Sequence, residues 1–196
     1  MKLSNGDKRR FLKALEQGDY IITESGLIFP RDGLKASGVY FDSVNGGLDA
    51  RESPNLLPDQ GLTDILATYF GATAKKAGWY LALYSGAVSP AANWTAANFS
   101  ATASEITSAT EGYSNANRPT WTPGAAAGNA IDNLAAKAVF NIVCTTSIEV
   151  NGAALLSSNG KGSTSGVLAS AARYAQTRQL YNGDSYELGY RVTLTS

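Results

Sequence analysis

The chain has 196 residues, of which 16 are basic, 16 are acidic, one is cysteine and none is histidine. The lack of histidine excludes Ser-His-Asp and Cys-His nucleophile systems and the usual zinc sites. A formal net charge of zero gives no basic footprint for nucleic acid. Charged residues make up only 16% of the chain, which fits either a surface rich in Ser, Thr, Asn and Gly or a protein-binding surface.

The single cysteine, Cys144, excludes an internal disulfide and fits assembly in a reducing cytoplasm. No stretch reaches the ~20 apolar residues of a membrane span. The N-terminal residues also lack the apolar core of a signal peptide. We therefore expect no membrane partner and no standard secretion, and we expect Cys144 to be buried and unreactive within a strand.

Residues 4–17 predict a short helix with an apolar stripe at Phe11, Leu12 and Leu15. The same segment concentrates positive charge. We interpret it as an arm that docks on an acidic partner surface, with a solvated helix face as the alternative. The cationic residues of this helix are Lys8, Arg9, Arg10 and Lys13.

Residues 20–29 predict two extended segments around a turn at Glu24-Ser25-Gly26. The pattern weakens over residues 31–57, which are too long for a routine connection. We interpret this stretch as an extended arm or binding loop in which Tyr40 and Phe41 have few local partners. Residues 1–57 are accordingly assigned to an N-terminal helix and extended arm.

Residues 58–71 give the clearest helical pattern, with Pro58 suited to the first turn. Its apolar residues recur at helical spacing on one face, which we expect to pack against a sheet. The residues of this face are Leu62, Ile65, Leu66, Tyr69 and Phe70. The inward-facing residues of the sheet are expected to include Phe140, Ile142, Leu188, Tyr190 and Val192.

Residues 79–84 predict a strand, and the Ala-, Ser-, Thr- and Asn-rich stretch that follows is interpreted as long loops pinned by Trp94 and Phe99. Residues 138–144 predict a buried strand. Two further short strands, 147–150 and 153–156, are expected to be joined by a hairpin turn at Asn151-Gly152, because Asn-Gly is a strong turn signal.

Residues 160–166 have the composition of a flexible link, and Asn182-Gly183-Asp184 predicts a turn before a final strand over 186–194. Short strands with frequent turn signals are typical of an antiparallel sandwich. We therefore predict a mainly β chain, with a jelly-roll-like antiparallel β-sandwich over 58–196. One or two short helices and an N-terminal arm complete the expected fold.

The candidates for chemistry are weak. Asp42–Gly47 resembles a fragment of a calcium loop but lacks the terminal bidentate Glu, so a turn is the better interpretation. Gly160–Ser163 resembles part of a phosphate loop but is followed by β-type sequence. Paired carboxylates could hydrolyse glycosides without histidine. The candidate carboxylates are Asp59, Asp64, Glu105, Glu111, Asp132 and Glu149. Nothing in the sequence indicates that any two of them lie close together in the fold.

Aromatic residues could alternatively form a sugar-binding platform, although core filling and loop pinning are the better interpretation. These residues are Trp79, Tyr80, Tyr84, Trp94, Tyr113 and Trp121. No catalytic, cofactor or metal residue emerges from the sequence, and we expect the chain not to be an enzyme.

Over roughly residues 54–196 the order of segments resembles small virion structural proteins of tailed bacteriophages, of the capsid cement or head decoration kind. The segments that carry the resemblance are Pro54–Leu57, Gly61–Leu66, Trp79–Tyr84, Asn98–Ala101, Tyr113, Arg118–Trp121, Gly166–Leu168 and Gly183–Leu188. The resemblance implies a β-sandwich that binds the major capsid protein on the exterior of the virion, in many copies, after synthesis in the bacterial cytoplasm.

Under this interpretation the protein stabilises the head by binding across the capsid lattice, and it forms a homo-oligomer. A tail-fibre, neck or carbohydrate-recognising receptor-binding component is the alternative. Neither interpretation calls for a cofactor, nucleic acid or membrane. The residues expected to contact the partner are Lys8, Arg9, Arg10, Phe11, Lys13, Tyr40, Phe41, Trp94 and Phe99.

Overall fold

The computed structural model describes residues 4–16, 20–22, 24–30, 35–47 and 49–195. The chain divides into two compact units, of which the first includes the described residues up to Lys35 together with Thr195, and the second comprises Ala36–Leu194. This boundary differs from the expected division after residue 57.

The N-terminal unit contains helix α1 (Asn5–Glu16) and a two-stranded antiparallel hairpin, β1 (Tyr20–Ile22) and β2 (Ile28–Pro30). Gly26, at a φ of 77°, lies in the turn, because glycine adopts this left-handed backbone without strain. The helix predicted at 4–17 is confirmed over Asn5–Glu16, while residue 17 lies outside the described residues, and the two extended segments predicted around a turn at 20–29 are β1 and β2.

The main unit is mainly β and consists of two antiparallel sheets with a sandwich-like arrangement, which confirms the predicted fold class. The smaller sheet has the strand order β10-β9-β5, and the larger has the order β4-β3-β11-β8-β6, with β7 paired to β11. The strands are β3 (Lys35–Val44), β4 (Arg51–Pro54), β5 (Tyr80–Tyr84), β6 (Gly112–Tyr113), β7 (Ala130–Asp132), β8 (Ala138–Val143), β9 (Ile148–Leu156), β10 (Leu168–Leu180) and β11 (Ser185–Thr195).

Two α-helices, α2 (Asp59–Tyr69) and α3 (Ala96–Ala103), and a 3-10 helix at Leu134–Ala136 complete this unit. Helix α3 lies in the stretch that we expected to form only loops. Eight residues are too few to establish a helical period. Its start is marked by a capping contact, in which the Thr95 N–H donates to Asn98 Oδ1 at 2.8 Å.

The expectation of an extended arm or loop over 31–57 is wrong for the described residues of that stretch, which exclude 31–34 and 48. Strands β3 and β4 pair with each other at the edge of the larger sheet. The turn interpretation of Asp42–Gly47 holds for Asn45, Gly46 and Gly47, which have positive φ between the two strands, whereas residues 42–44 belong to β3. Glycines that serve this turn obscured the strand pattern on either side of it.

The hairpin expected at Asn151-Gly152 is also wrong, because β9 runs through both residues without a turn. It pairs with β10 on one side and β5 on the other. The turn at Asn182-Gly183-Asp184 is confirmed, with Gly183 at a φ of 87°.

Two clusters of buried residues form the core: one packs α3 on the smaller sheet and contains Tyr84, Trp94 and Phe99, and the main one lies between the two sheets. Its buried members include Phe140, Ile142, Leu188 and Tyr190, as expected, whereas Val192 is only partly buried. Cys144 is buried as predicted, but it follows the last residue of β8 and does not lie within the strand.

Candidate docking surfaces

Helix α2 packs on β10 through a face of small and polar residues. Gly61 is its one buried residue, and Asp64, Ala67 and Thr68, which follow at helical spacing, are half-buried. A β-carbon on Gly61 would lie 2.4 Å from the carbonyl oxygen of Ala169 in β10, so the two backbones are in close contact. This approach requires glycine at position 61.

Gln60 secures the start of α2 with polar contacts. Its Oε1 accepts hydrogen bonds from the backbone N–H groups of Ala96 and Leu168, at 2.8 Å each. Its Nε2 donates to the Gly166 carbonyl at 3.4 Å. One side chain therefore joins α2 to the first residue of α3 and to the first residue of β10, and it fixes which side of α2 faces the sheet.

The opposite side of α2 points away from the protein, and we call its four large apolar residues, together with Phe70 directly after the helix, the α2 face. Their exposed fractions are 42% for Leu62, 43% for Ile65, 59% for Leu66, 80% for Tyr69 and 75% for Phe70. The expectation that these residues pack against the sheet is wrong. The helical period identified the stripe correctly, but the close contact at Gly61 turns the stripe outward.

A cavity of about 340 Å³ lies beside the α2 face, between the end of the helix and the segment that leads into β5. The Lys76 ammonium forms an ion pair with Asp64 at 2.8 Å at its edge. The surroundings of the α2 face thus carry both signs of charge. The lining residues are Asp64, Ile65, Thr68, Tyr69, Lys75, Lys76 and Trp79.

The N-terminal unit presents the second candidate surface, which we call the α1 cationic face. Its residues Lys8, Arg9, Arg10 and Lys13 are all exposed. Phe11, which we had placed among the contact residues, is only partly exposed. Its ring packs on Tyr20 of β1, with the ring centroids 5.2 Å apart.

Three of the expected contact residues belong to the core and are unavailable to a partner in this structure. Tyr40 is fully buried, and its hydroxyl lies 2.7 Å from Ser170 Oγ. Trp94 and Phe99 are buried with Tyr84, each ring meeting it edge-on. The fourth, Phe41, is half-buried beneath the Arg191 guanidinium, which lies 5.5 Å from its ring centroid.

The aromatic residues considered for a sugar platform do not form an exposed one. Tyr84, Trp94, Tyr113 and Trp121 are buried, and Trp79 and Tyr80 are half-buried. The indole N–H of Trp121 donates to the Tyr190 carbonyl at 3.0 Å, which is a structural role within the core.

Two of the candidate carboxylates are held in the ionised form. The Leu134 backbone N–H and the Arg191 guanidinium donate to Asp132 and lower its pKa. Hydrogen bonds from the Thr145 hydroxyl and backbone N–H lower the pKa of Glu111. A general acid needs a raised pKa, so these shifts are opposite to those of a glycosidase acid.

Glu105 forms a buried ion pair with Arg118. Arg118 Nε and Nη2 donate to its two carboxylate oxygens at 2.7 and 2.8 Å, and both side chains are fully buried. Arg118 Nη1 also donates to the Ser158 carbonyl, and the Gly162 N–H donates to Glu105 Oε2. Sequence reasoning missed this pair, because residues 105 and 118 lie in different loops.

The 160–166 segment is therefore bound to the core and is not the flexible link we expected. Besides the Gly162 contact, the Lys161 ammonium donates to the Tyr113 carbonyl at 2.7 Å and lies 3.7 Å from the Tyr113 ring centroid. Burial lowers the pKa of Lys161. This segment is therefore held by Tyr113 and Glu105, which are both buried.

A second buried ion pair joins the two sheets. Arg178 of β10 donates to the carboxylates of Asp42, in β3, and Asp49. The carboxylate of Asp42 is thus paired with an arginine. The part of the chain that the structure describes contains no group of three or more His, Cys, Asp or Glu residues able to hold a metal ion.

A further cavity, of about 520 Å³, is an open groove in the main unit next to the Asp132–Arg191 ion pair. It is lined mostly by small side chains from residues 122–136. None of the helices in the described ranges is long and apolar enough to cross a membrane.

Comparisons of the chain with protein families, with curated proteins and with solved structures give no match.

Proposed function

We propose that this protein is a non-enzymatic structural component of a bacteriophage virion, a capsid cement or decoration subunit that binds the major capsid protein on the exterior of the head. The observation that carries the proposal is the division of the chain into a core with tightly paired buried charges and a separate N-terminal unit with the α1 cationic face. The resemblance over residues 54–196 supplies the virion context.

The α1 cationic face is the surface through which the subunit docks on the capsid. Four of the 16 basic residues of a chain with zero net charge lie within the 12 residues of α1. A local cationic cluster on a neutral protein favours docking on acidic groups without attracting the whole molecule to nucleic acid. Repeated over a lattice, weak contacts of this kind add up to stable attachment.

The core suits a clamp because its sheets and loops are tied together by buried charges. Arg178 joins the two sheets, and the Glu105–Arg118 pair holds the 158–163 segment. In the alternative, a tail-fibre, neck or receptor-binding component, a sugar would stack on exposed aromatic rings. Most of the aromatic candidates for such a platform are buried, so this alternative has the weaker support.

The experiment measures binding of the purified protein to undecorated phage heads by co-sedimentation. We expect Arg9→Glu/Arg10→Glu to weaken binding at least tenfold, and we expect binding of the natural protein to weaken as salt is added. The control, Arg51→Glu/Arg173→Glu, makes the same change of charge at exposed positions of the main unit and should bind normally.

Unchanged binding of Arg9→Glu/Arg10→Glu would overturn the role of the α1 cationic face. The copy number in purified particles tests the head assignment itself. Hundreds of copies would support a cement protein, about a dozen would place the protein in the neck or tail, and none would contradict the virion assignment.

A further inference from the structure

The α2 face lies at the upper end of the size range of exposed apolar patches on monomeric proteins. Aromatic side chains present about 150–250 Å² each. Two aromatic and three aliphatic residues with the exposed fractions given above therefore present an apolar area on the order of 600 Å², at the upper limit for monomeric proteins. A standard protein interface buries about 800 Å² on each partner, so this area could form the centre of one.

The remaining exposed apolar residues of the main unit do not form a matching surface. Among the described residues, Leu56, Val88, Val139, Tyr181 and Leu194 come from separate segments, and each is the one large exposed apolar residue of its own segment. An α2 face that met a different site on a second copy would leave much of its apolar area against polar groups. The best apolar match in the main unit is therefore the α2 face itself.

Charge does not oppose such a contact. The net charge of the chain is zero, so two copies approach without overall repulsion. The edge of the face carries both signs, with Asp64 next to Lys75 and Lys76. In a two-fold arrangement these groups can face their opposites. An interface this rich in large apolar side chains is also typical of homo-oligomers.

We propose that the α2 face binds the α2 face of a second copy of this chain about a two-fold axis. The eleven residues of α2 extend about 16 Å. An antiparallel pair of these helices would cross near Ile65 and Leu66, with Tyr69 and Phe70 of each copy covering the start of the other. This contact deepens the proposed function, because it gives a cement subunit its self-association, but it is independent of the α1 cationic face.

The main test is disulfide trapping in the full chain. Because Cys144 is buried, a cysteine introduced at an exposed position is the reactive one. We expect Leu66→Cys to form a covalent dimer under mild oxidation, since this position lies near the proposed axis. Val88→Cys, exposed in the loop after β5, and the natural protein should remain uncrosslinked.

Sedimentation analysis of the natural protein should show a reversible dimer. Tyr69→Glu/Phe70→Glu should raise its dissociation constant at least tenfold, whereas Tyr181→Glu should leave it unchanged. Circular dichroism melts will show that the variants are folded. These side chains are exposed, so their replacement does not disturb the core.

A natural protein that is monomeric at all accessible concentrations would overturn the proposal. The finding that the N-terminal unit of the same chain covers the α2 face would overturn it as well. A dimer that Leu66→Cys fails to trap, or that Tyr69→Glu/Phe70→Glu leaves intact, would overturn it too. These measurements use no phage heads. Failure of the head-binding experiment would therefore leave this result standing, and the reverse also holds.

Discussion

Gly152 lies beneath the ring of Tyr84, its cross-strand partner, and a β-carbon at position 152 would come within 2.2 Å of Tyr84 Cζ. The ring reaches from β5 over β9, and its hydroxyl donates to the Ala172 carbonyl of β10 at 2.9 Å. One tyrosine thus spans all three strands of the smaller sheet, and this is possible because the middle strand has no side chain at the crossing point.

The first prediction tests this arrangement. Gly152→Ala should lower the free energy of unfolding by about 1–3 kcal/mol, since both the Tyr84 ring and the Ala172 carbonyl stand in the way. Gly124→Ala is the matched control, because no atom would lie closer than 4.0 Å to a β-carbon at that position, and it should be nearly neutral. Urea denaturation of both variants measures the difference. A neutral Gly152→Ala would contradict the ring crossing.

The second prediction concerns the attachment of α2. Alanine normally favours a helix over glycine by about 1 kcal/mol. We nevertheless expect Gly61→Ala to destabilise the protein by about 1–3 kcal/mol, because its methyl group would collide with the backbone of Ala169. Thr63→Ala, at an exposed position of the same helix, should be neutral or slightly stabilising. A stabilising Gly61→Ala would show that α2 does not contact β10 so closely.

The third prediction concerns the buried Glu105–Arg118 pair. Removing one partner leaves an uncompensated buried charge, so Glu105→Gln should cost about 3–5 kcal/mol of stability. Arg191→Met, which breaks the partly exposed pair with Asp132, should cost less than about 1 kcal/mol. Hydrogen exchange should also be faster at Gly162, whose N–H donates to Glu105. Similar losses for the two variants would contradict the difference in burial.

The fourth prediction is loss of stability at alkaline pH. Burial raises the pKa of Tyr40, Tyr174 and Tyr186 well above 10.0, and it raises that of Tyr190 to about 12. Between the unfolded and folded pKa values the unfolded chain binds fewer protons, so the free energy of unfolding falls as pH rises above about 10.

Below about pH 10 this contribution is fully present. The near-ultraviolet absorbance of tyrosinate should therefore increase steeply together with the loss of circular dichroism. Tyr190→Phe removes one of these ionisations. Between neutral pH and about pH 11 its free energy of unfolding should therefore fall less than that of the natural protein. Complete tyrosine ionisation in a protein that remains folded would contradict the prediction.

The fifth prediction concerns Cys144. Burial raises the pKa of its thiol, and the nearby carboxylates of Glu111 and Asp184 act in the same direction. A smaller thiolate fraction and restricted access both slow alkylation. Iodoacetamide should modify the native protein far more slowly than the denatured protein, and reductant should not change the melting temperature. Rapid labelling of the native protein would show that the thiol is accessible.

The sequence was most informative where a pattern reports a purely local preference. The alternation of residues 186–194 predicted β11, and the glycines of the Glu24–Gly26 and Asn182–Asp184 turns marked those turns correctly. Both signals depend on neighbours in the chain, which are visible in the sequence. The mainly β sandwich-like fold followed from such segments.

The errors arose where a distant residue decided the outcome. Asn151-Gly152 has the composition of a hairpin turn, yet the glycine is required by the ring of Tyr84 from another strand. The α2 stripe was identified, but its direction is set by Gly61 and Gln60 through contacts to β10 and α3. Of the two candidate docking surfaces, the sequence predicted the α1 cationic face and misplaced the α2 face in the core.

The way α2 is held has a consequence for how such a protein can diversify. Its position depends on Gly61 and Gln60, whereas the five outward apolar side chains contribute little to the fold of their own subunit. Substitutions on the outward side are therefore free to drift and to acquire a new binding preference while the subunit still folds. Recognition and folding are encoded by different residues of one short segment, residues 60–70.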